Sequence, residues 1–275
     1  MTQIVDDSKF AVMLTFDMDA ESAFLANDPE NAHRVGVLSQ GQYGPKVGVP
    51  RLIELLERKG LPATMFVPGW CAEKYPDAVR AAVSVGWEIA HHGYHHIPPA
   101  SQTREEEAES ILKGIAAIDK VAGKAPIGYR SPSWDFSSNT LDLLTQNGFL
   151  YSSNMMDNDV PYLHPVSSSA GPIVELPIQW ILDDAPFFMF SRPAVRPISA
   201  LSNAFEHWSE EFEGLYAERE RGKIYVLTMH PFISGRPSRV RLLEKLIDLI
   251  QQHPDIAFYT CEDVARHFQS KATQA

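Results

Sequence analysis

Two hydrophobic rhythms alternate along this chain. Phe10-Ala-Val-Met-Leu-Thr-Phe16 is an unbroken apolar run that stops at acidic residues, the pattern of a parallel strand buried on both faces. Val49, Leu52, Ile53, Leu55 and Leu56 then recur at helical spacing over 46–59, until Gly60 stops them. Ala63 to Val67 reads as a second strand closed by Pro68-Gly69, and a helix over about 76–85 leads through Gly86 into a strand at Trp87 to Ala90. Thr103 followed by Glu105, Glu106 and Glu107 is a capped helix start with acids where the dipole favours them; that helix runs to about Val121, with Gly123 as its stop. Short strands near 126–130 and 149–152 bracket a helix over 138–147. A helix around 199–218, the strand Ile224 to Met229, a helix over 238–252, the strand Ile256 to Tyr259 and a last helix complete the chain. Repeated β-α units imply a parallel α/β sheet, and this many point to a barrel of about seven strands. Residues 154–198 break the rhythm. They are irregular and carry prolines from Pro161 to Pro193 and Pro197, as substrate-shaping loops do.

With 275 residues, 44% of them hydrophobic, and neither repeats nor a long linker, the chain reads as one continuous domain over 1–275. Its formal net charge of -11 argues against nucleic acid and anionic membrane as partners, leaving a small-molecule substrate. Met1 to Lys9 lacks the basic-then-apolar signature of a secretory signal, and no run is long enough to span a bilayer, so the cytoplasm is the expected compartment. Cys71 and Cys261 lie far apart in sequence and read as two buried thiols, not a disulfide framework or a cysteine-based metal site.

In β/α barrels the chemistry sits where strands end. Four such places carry polar residues of catalytic type. Asp17 and Asp19 follow the first strand; two apart on extended chain, both carboxylates face one side, so one could bind a metal while the other takes a proton. After the third strand comes His91-His-Gly-Tyr-His-His96, in which His92 and His96 are spaced to offer two nitrogens to one ion from a single helical turn or a tight loop. With one aspartate they form a two-histidine, one-carboxylate set that leaves positions open for water and substrate. Arg130, in Arg130-Ser-Pro-Ser-Trp134, can hold a carboxylate bidentately, and Asp17 is the natural partner. His230 ends the late strand and faces the same end of the barrel.

Taken in order, these segments resemble the polysaccharide deacetylase superfamily, also called carbohydrate esterase family 4. Thr15-Phe-Asp-Met-Asp19 is similar to its first motif, His92-Gly-Tyr-His-His96 to its His-x-x-x-His motif, Arg130-Ser-Pro132 to its Arg-x-Pro motif, and Thr228-Met-His230 to its late motif. The resemblance implies a distorted, incomplete (β/α) barrel. It implies Asp17 as general base, Asp19, His92 and His96 as ligands of Zn²⁺ or another divalent transition metal, Arg130 as orienter of the base, and His230 as general acid. Met18 between the aspartates, Gly93, and the absence of an Asp-Trp pair in Tyr151 to Tyr162 look like an intracellular branch of that superfamily. That branch includes allantoinase-like proteins, cyclic imide hydrolases and peptidoglycan-deacetylase-like proteins, and by analogy with it a homo-oligomer is expected.

The expected chemistry is metal-assisted hydrolysis of a non-peptide carbon–nitrogen bond, with a backbone N–H near Tyr129–Ser131 helping to hold the oxyanion. Ring-opening of a cyclic imide or ureide is favoured, because a cytoplasmic enzyme does not meet cell-wall glycan and because Phe187, Phe188 and Phe190 could roof a closed pocket. Deacetylation of an acetylated amino sugar or peptidoglycan-type glycan is the first alternative, and a metal-binding barrel without turnover the second.

Overall fold

The computed structural model describes residues 5–165, 171–190 and 198–274; residues 1–4 of the polar N-terminal stretch, and Pro193 and Pro197, lie outside them. Nine strands form one sheet: β1 (Phe10–Asp17), β2 (Thr64–Val67), β3 (Glu88–His91), β4 (Gly128–Tyr129), β5 (Tyr151–Ser152), β6 (Tyr162–Leu163), β7 (Val174–Glu175), β8 (Ile224–Met229) and β9 (Ile256–Phe258). Their order is β6-β7-β5-β4-β3-β2-β1-β8, with β9 also on β1. All pairings are parallel except β6 with β7. The seven strands expected from periodicity are present, and the two-residue β6 and β7 are added from the proline-rich segment, where Pro161, Pro165, Pro172 and Pro177 interrupt any apolar pattern. The sheet curls into a half-barrel. Past β7 the chain returns to β8 through a single parallel bridge, Asp183 to Thr228, so the barrel is drawn together there without a full ladder.

Every residue of β1 is buried. Side chains alternate across a strand, and the two sets join different cores. Val12, Leu14 and Phe16 pack with Leu52, Leu55, Leu56, Leu227, Leu243 and Ile247 under the outer helices. Ala11 and Met13 pack with Phe66, Tyr151, Val174 and Val226 on the concave face. This two-sided burial is why the run is continuously apolar. Thr15 and Asp17 continue the concave-face parity, so the inside of the barrel turns from apolar to polar at the strand's C-terminal end.

The longer helices form where spacing and caps predict. Val49–Lys59 stops at Gly60, and Arg104–Ala122 begins with a complete Thr103–Glu106 capping box and stops at Gly123. Thr140–Gln146, Leu201–Ala217 and Pro237–Ile250 match the remaining helical patterns. Three further helices, Ser22–Asn27, Val35–Tyr43 and Gly69–Lys74, carry little periodicity. Among the described residues no helix is long and apolar enough to cross a membrane.

His91, one of the four clustered histidines, belongs to the core. Its Nε2–H donates to the Ile111 carbonyl at 3.1 Å and its Nδ1 accepts the Gly93 N–H at 3.0 Å. Burial pushes its pKa down to about 3, so it is neutral. Gly114 on the Arg104–Ala122 helix lets this ring approach: a Cβ there would lie 2.1 Å from His91 Nε2. Helix propensity alone would make Gly114→Ala stabilising by roughly 1 kcal/mol. We expect the opposite sign, a loss of about 1–3 kcal/mol from overpacking, read as a lowered midpoint in urea unfolding.

Candidate metal centre and active site

The four sequence-predicted places converge at one cavity of about 500 Å³ lined by Asp17, Asp19, His92, His96, Trp134 and His230, among others. Asp17 ends β1. Met18 then donates its N–H to the Phe66 carbonyl at 2.8 Å and buries its side chain in the outer core, which leaves Asp17 and Asp19 on the cavity side. His92 follows β3 directly. The segment up to His96 is a loop and not a helical turn. Gly93 (φ 71) and His96 (φ 61) both take the left-handed region, and this brings the two rings together at 5.0 Å between centroids.

Asp19 meets both imidazoles. Its Oδ1 is 3.3 Å from His92 Nε2 and its Oδ2 is 3.3 Å from His96 Nε2. His92 donates its Nδ1–H to the Arg130 carbonyl at 2.7 Å, which leaves Nε2 as a bare acceptor in the neutral ring. Asp19 Oδ1, in a carboxylate only 3% exposed, has no hydrogen-bond partner. In that tautomer of the His92 ring two acceptors face one another in a buried site, an arrangement that a cation between them would satisfy, and the N, N, O donor set suits a divalent transition metal. Burial opposes ionisation of Asp19, yet the charge of His96 and contacts from His92 and His96 hold its carboxyl well below the usual carboxylate range. The residues therefore fit a metal ion. Asp183, Asp184 and His230 form a second cluster of potential ligand atoms, but the hydrogen bonds within it already occupy its facing atoms.

Arg130 is fully buried and reaches across the concave face. Nη1 donates to Asp17 Oδ1 and to Thr15 Oγ1, both at 2.8 Å; Nη2 donates to Ser153 Oγ at 3.0 Å, and the guanidinium lies 4.1 Å above the Phe66 ring. The expected bidentate clamp on Asp17 is thus a single charge-assisted bond, because the second amino group is drawn to Ser153. The expected backbone oxyanion donors fail at two positions for a similar reason. The Arg130 N–H donates to the His91 carbonyl at 3.0 Å and the Ser131 N–H to Asn154 Oδ1 at 2.7 Å.

His230 lies 3.5 Å from Asp19 Oδ2 through Nε2. Its Nδ1 is 2.7 Å from Asp184 Oδ1, while Asp184 Oδ2 accepts the His230 N–H at 2.9 Å and the Ser234 hydroxyl at 2.5 Å. Burial disfavours the charged ring, but Asp184 and then Asp183 outweigh it and raise the His230 pKa well above its usual value. Asp183 itself is pushed up to about 7 by burial and, secondarily, by its acidic neighbours against the opposing pull of His230. Asp183 and Asp184 were not singled out as site residues from sequence. The pair follows Trp180-Ile-Leu182, but three apolar residues in a proline-broken segment make no strand pattern. Phe187 and Phe188 do not roof the cavity; they pack toward Trp208, and Met189 lines the cavity instead.

If Asp19, His92 and His96 share one ion, Asp19→Asn and His92→Ala will each weaken metal binding by more than the roughly 10- to 100-fold typical of outer-shell changes. Asp17→Asn will leave it near wild type. Calorimetric titration of chelator-stripped protein with Zn²⁺ checks this, and equal losses in all three variants would break the assignment.

The family model described as polysaccharide deacetylase matches residues 5–152. A peptidoglycan deacetylase of Helicobacter pylori is 32% identical over 84% of this chain and 87% of its own length. A crystal structure assigned as a polysaccharide deacetylase from Mycobacterium smegmatis is 39% identical and superposes with a TM-score of 0.91 over 98% of this chain and 94% of that one. An allantoinase structure shares the fold at a TM-score of 0.82, with 24% identity over 94% of this chain and 90% of that one. On the family match and the identity to these relatives, the chain belongs to the polysaccharide deacetylase family.

Proposed function

We propose that this protein is a metal-dependent N-deacetylase of an acetylated amino sugar in a peptidoglycan-type glycan. The observation that carries the hydrolytic part of this reading is the buried Asp19, whose unpartnered oxygen faces His92 Nε2 beside a second carboxylate held by Arg130. The substrate class rests on relatedness, because the relative from Helicobacter pylori is named a peptidoglycan deacetylase. This moves the preference away from the cyclic imide or ureide favoured by the sequence, a preference that leaned on an expected cytoplasmic location and on a phenylalanine roof, two of whose residues, Phe187 and Phe188, pack toward Trp208 instead.

Asp19, His92 and His96 would hold Zn²⁺ or another divalent transition metal, which when bound supplies Lewis acidity toward water and the acyl oxygen. Asp17 takes a proton from the attacking water as its oxygen adds to the acyl carbon. Arg130, donating to Asp17 Oδ1, keeps that carboxylate aimed at the cavity. His230, held by Asp184, passes a proton to the nitrogen as the carbon–nitrogen bond breaks, releasing acetate and a free amine. Asp184 fixes the ring so that Nε2 is the atom presented to the cavity.

Metal-loaded protein will release acetate from N-acetylglucosamine oligomers or peptidoglycan faster than it opens succinimide or hydantoin rings. The reverse ranking favours the cyclic imide reading, and no turnover of either class, with metal bound, favours a barrel without turnover. Removing the support of the acid is a second check. Asp184→Asn will lower kcat by about 100-fold on an alkyl acetamide, in the range general acid catalysis supplies. It will cost far less on an aryl acetate, whose leaving group needs no proton; equal losses on both substrates would remove the acid role of His230.

A further inference from the structure

Trp134 and Trp180 stack at the wall of the metal-site cavity, with centroids 4.2 Å apart and planes 28° from parallel. The two rings are treated very differently by solvent. Trp134 is 7% exposed and packs into the concave core, whereas Trp180 is 48% exposed. The chain spends strain to set up this pair: Ser133 (φ 59) and Trp134 (φ 54) are consecutive non-glycine residues in the left-handed region. Trp180 opens the short 3-10 turn Trp180–Leu182, and the next two residues are Asp183 and Asp184, the latter holding His230. A flat apolar surface is therefore fixed from behind, tied by four residues of chain to the residue that supports the acid, and open to the same cavity as the metal ligands.

We propose that Trp180, backed by Trp134, is a specificity-determining platform on which the C–H face of a pyranose ring of the substrate glycan stacks. The proposal rests on the amino-sugar reading above and extends it, since the acetamide is then selected together with a sugar ring. A pyranose presents an apolar face of axial C–H groups at its centre and hydroxyls at its rim. A half-exposed indole that is already flat and immobile loses little rotamer freedom on meeting such a face. The remaining wall fits this division: Phe24, Met189 and Phe232 are apolar, while the polar groups gather at Asp17, Asp19, His92, His96 and His230.

The test compares wild type, Trp180→Ala and Trp180→Phe. All three are first checked for the same thermal midpoint, which is expected because Trp180 is half exposed. On N-acetylglucosamine oligomers, Trp180→Ala will raise KM about tenfold, the scale of one aromatic contact, with kcat changed less than about twofold on the same scale; Trp180→Phe will restore most of the loss. Hydrolysis of a ringless N-alkylacetamide will be unchanged in every variant. Binding is read separately from turnover as quenching of tryptophan emission by the same oligomers in Asp17→Asn protein, present with Trp180 and absent in the Asp17→Asn, Trp180→Ala double variant. Wild type that deacetylates the oligomers while Trp180→Ala keeps the wild-type KM overturns the platform and spares the deacetylase reading. Quenching by hydantoin or succinimide but not by the oligomers overturns the sugar assignment, and with it the deacetylase reading.

Discussion

A buried carboxylate oxygen with no hydrogen-bond partner is among the costlier things a fold can hold, and this one places it opposite a histidine nitrogen whose ring is held from its other side by the Arg130 carbonyl. Asp19 Oδ1 and His92 Nε2 face one another because Asp19 sits in a turn closed by Ser22, whose N–H and hydroxyl donate to the Asp19 carbonyl, and the His92 ring is held by the Arg130 carbonyl. These groups are held in place by the fold itself, which is the preorganisation a cation site requires.

Holding these groups in register takes a rigid surround. Three buried glutamates each tie down a different loop of the active face. Glu21 accepts from Lys74 and Tyr75 and anchors the turn after Asp19; Glu107 accepts from Ser137 and Thr140 and anchors the loop after Arg130; Glu175 accepts the N–H groups of Asn154 and Met155, and Asn154 in turn holds Ser131. Buried charges are tolerable only when their lone pairs are satisfied in this way. The strain is spent in the same place. Among the described residues the non-glycine positions with positive φ are Ala20, His96, Ser133 and Trp134, each a site residue or beside one. Such conformations cost of order 1–3 kcal/mol each and persist where the surrounding contacts over-determine them.

Much of this was legible in the sequence. Seven strands and the longer helices followed from periodicity and caps, because two-sided burial writes a continuous apolar run and a helix writes its stop as glycine. Asp17, Asp19, His92, His96, Arg130 and His230 were picked out because they lie at or just beyond the ends of strands that periodicity had located, and the structure brings them to one end of the sheet. What escaped did so for local reasons. Strands β6 and β7 lie among Pro161, Pro165, Pro172 and Pro177, which break up any apolar run, and the loop that presents His96 depends on left-handed backbone that histidine rarely adopts. Asp183 and Asp184 lie in a proline-rich segment without a rhythm to flag its end. The Phe187–Phe190 roof was misjudged because hydrophobicity alone does not say which core a residue joins; here Trp208 claims Phe187 and Phe188.

The central claim is that one ion sits among Asp19, His92 and His96. A crystal structure of zinc-loaded protein with anomalous scattering measured at the zinc edge tests it most directly. One peak is predicted, about 2.0–2.2 Å from an Asp19 carboxylate oxygen and from the Nε2 atoms of His92 and His96. A peak among Asp183, Asp184 and His230, or none at the Asp19 site in saturated crystals, would contradict it.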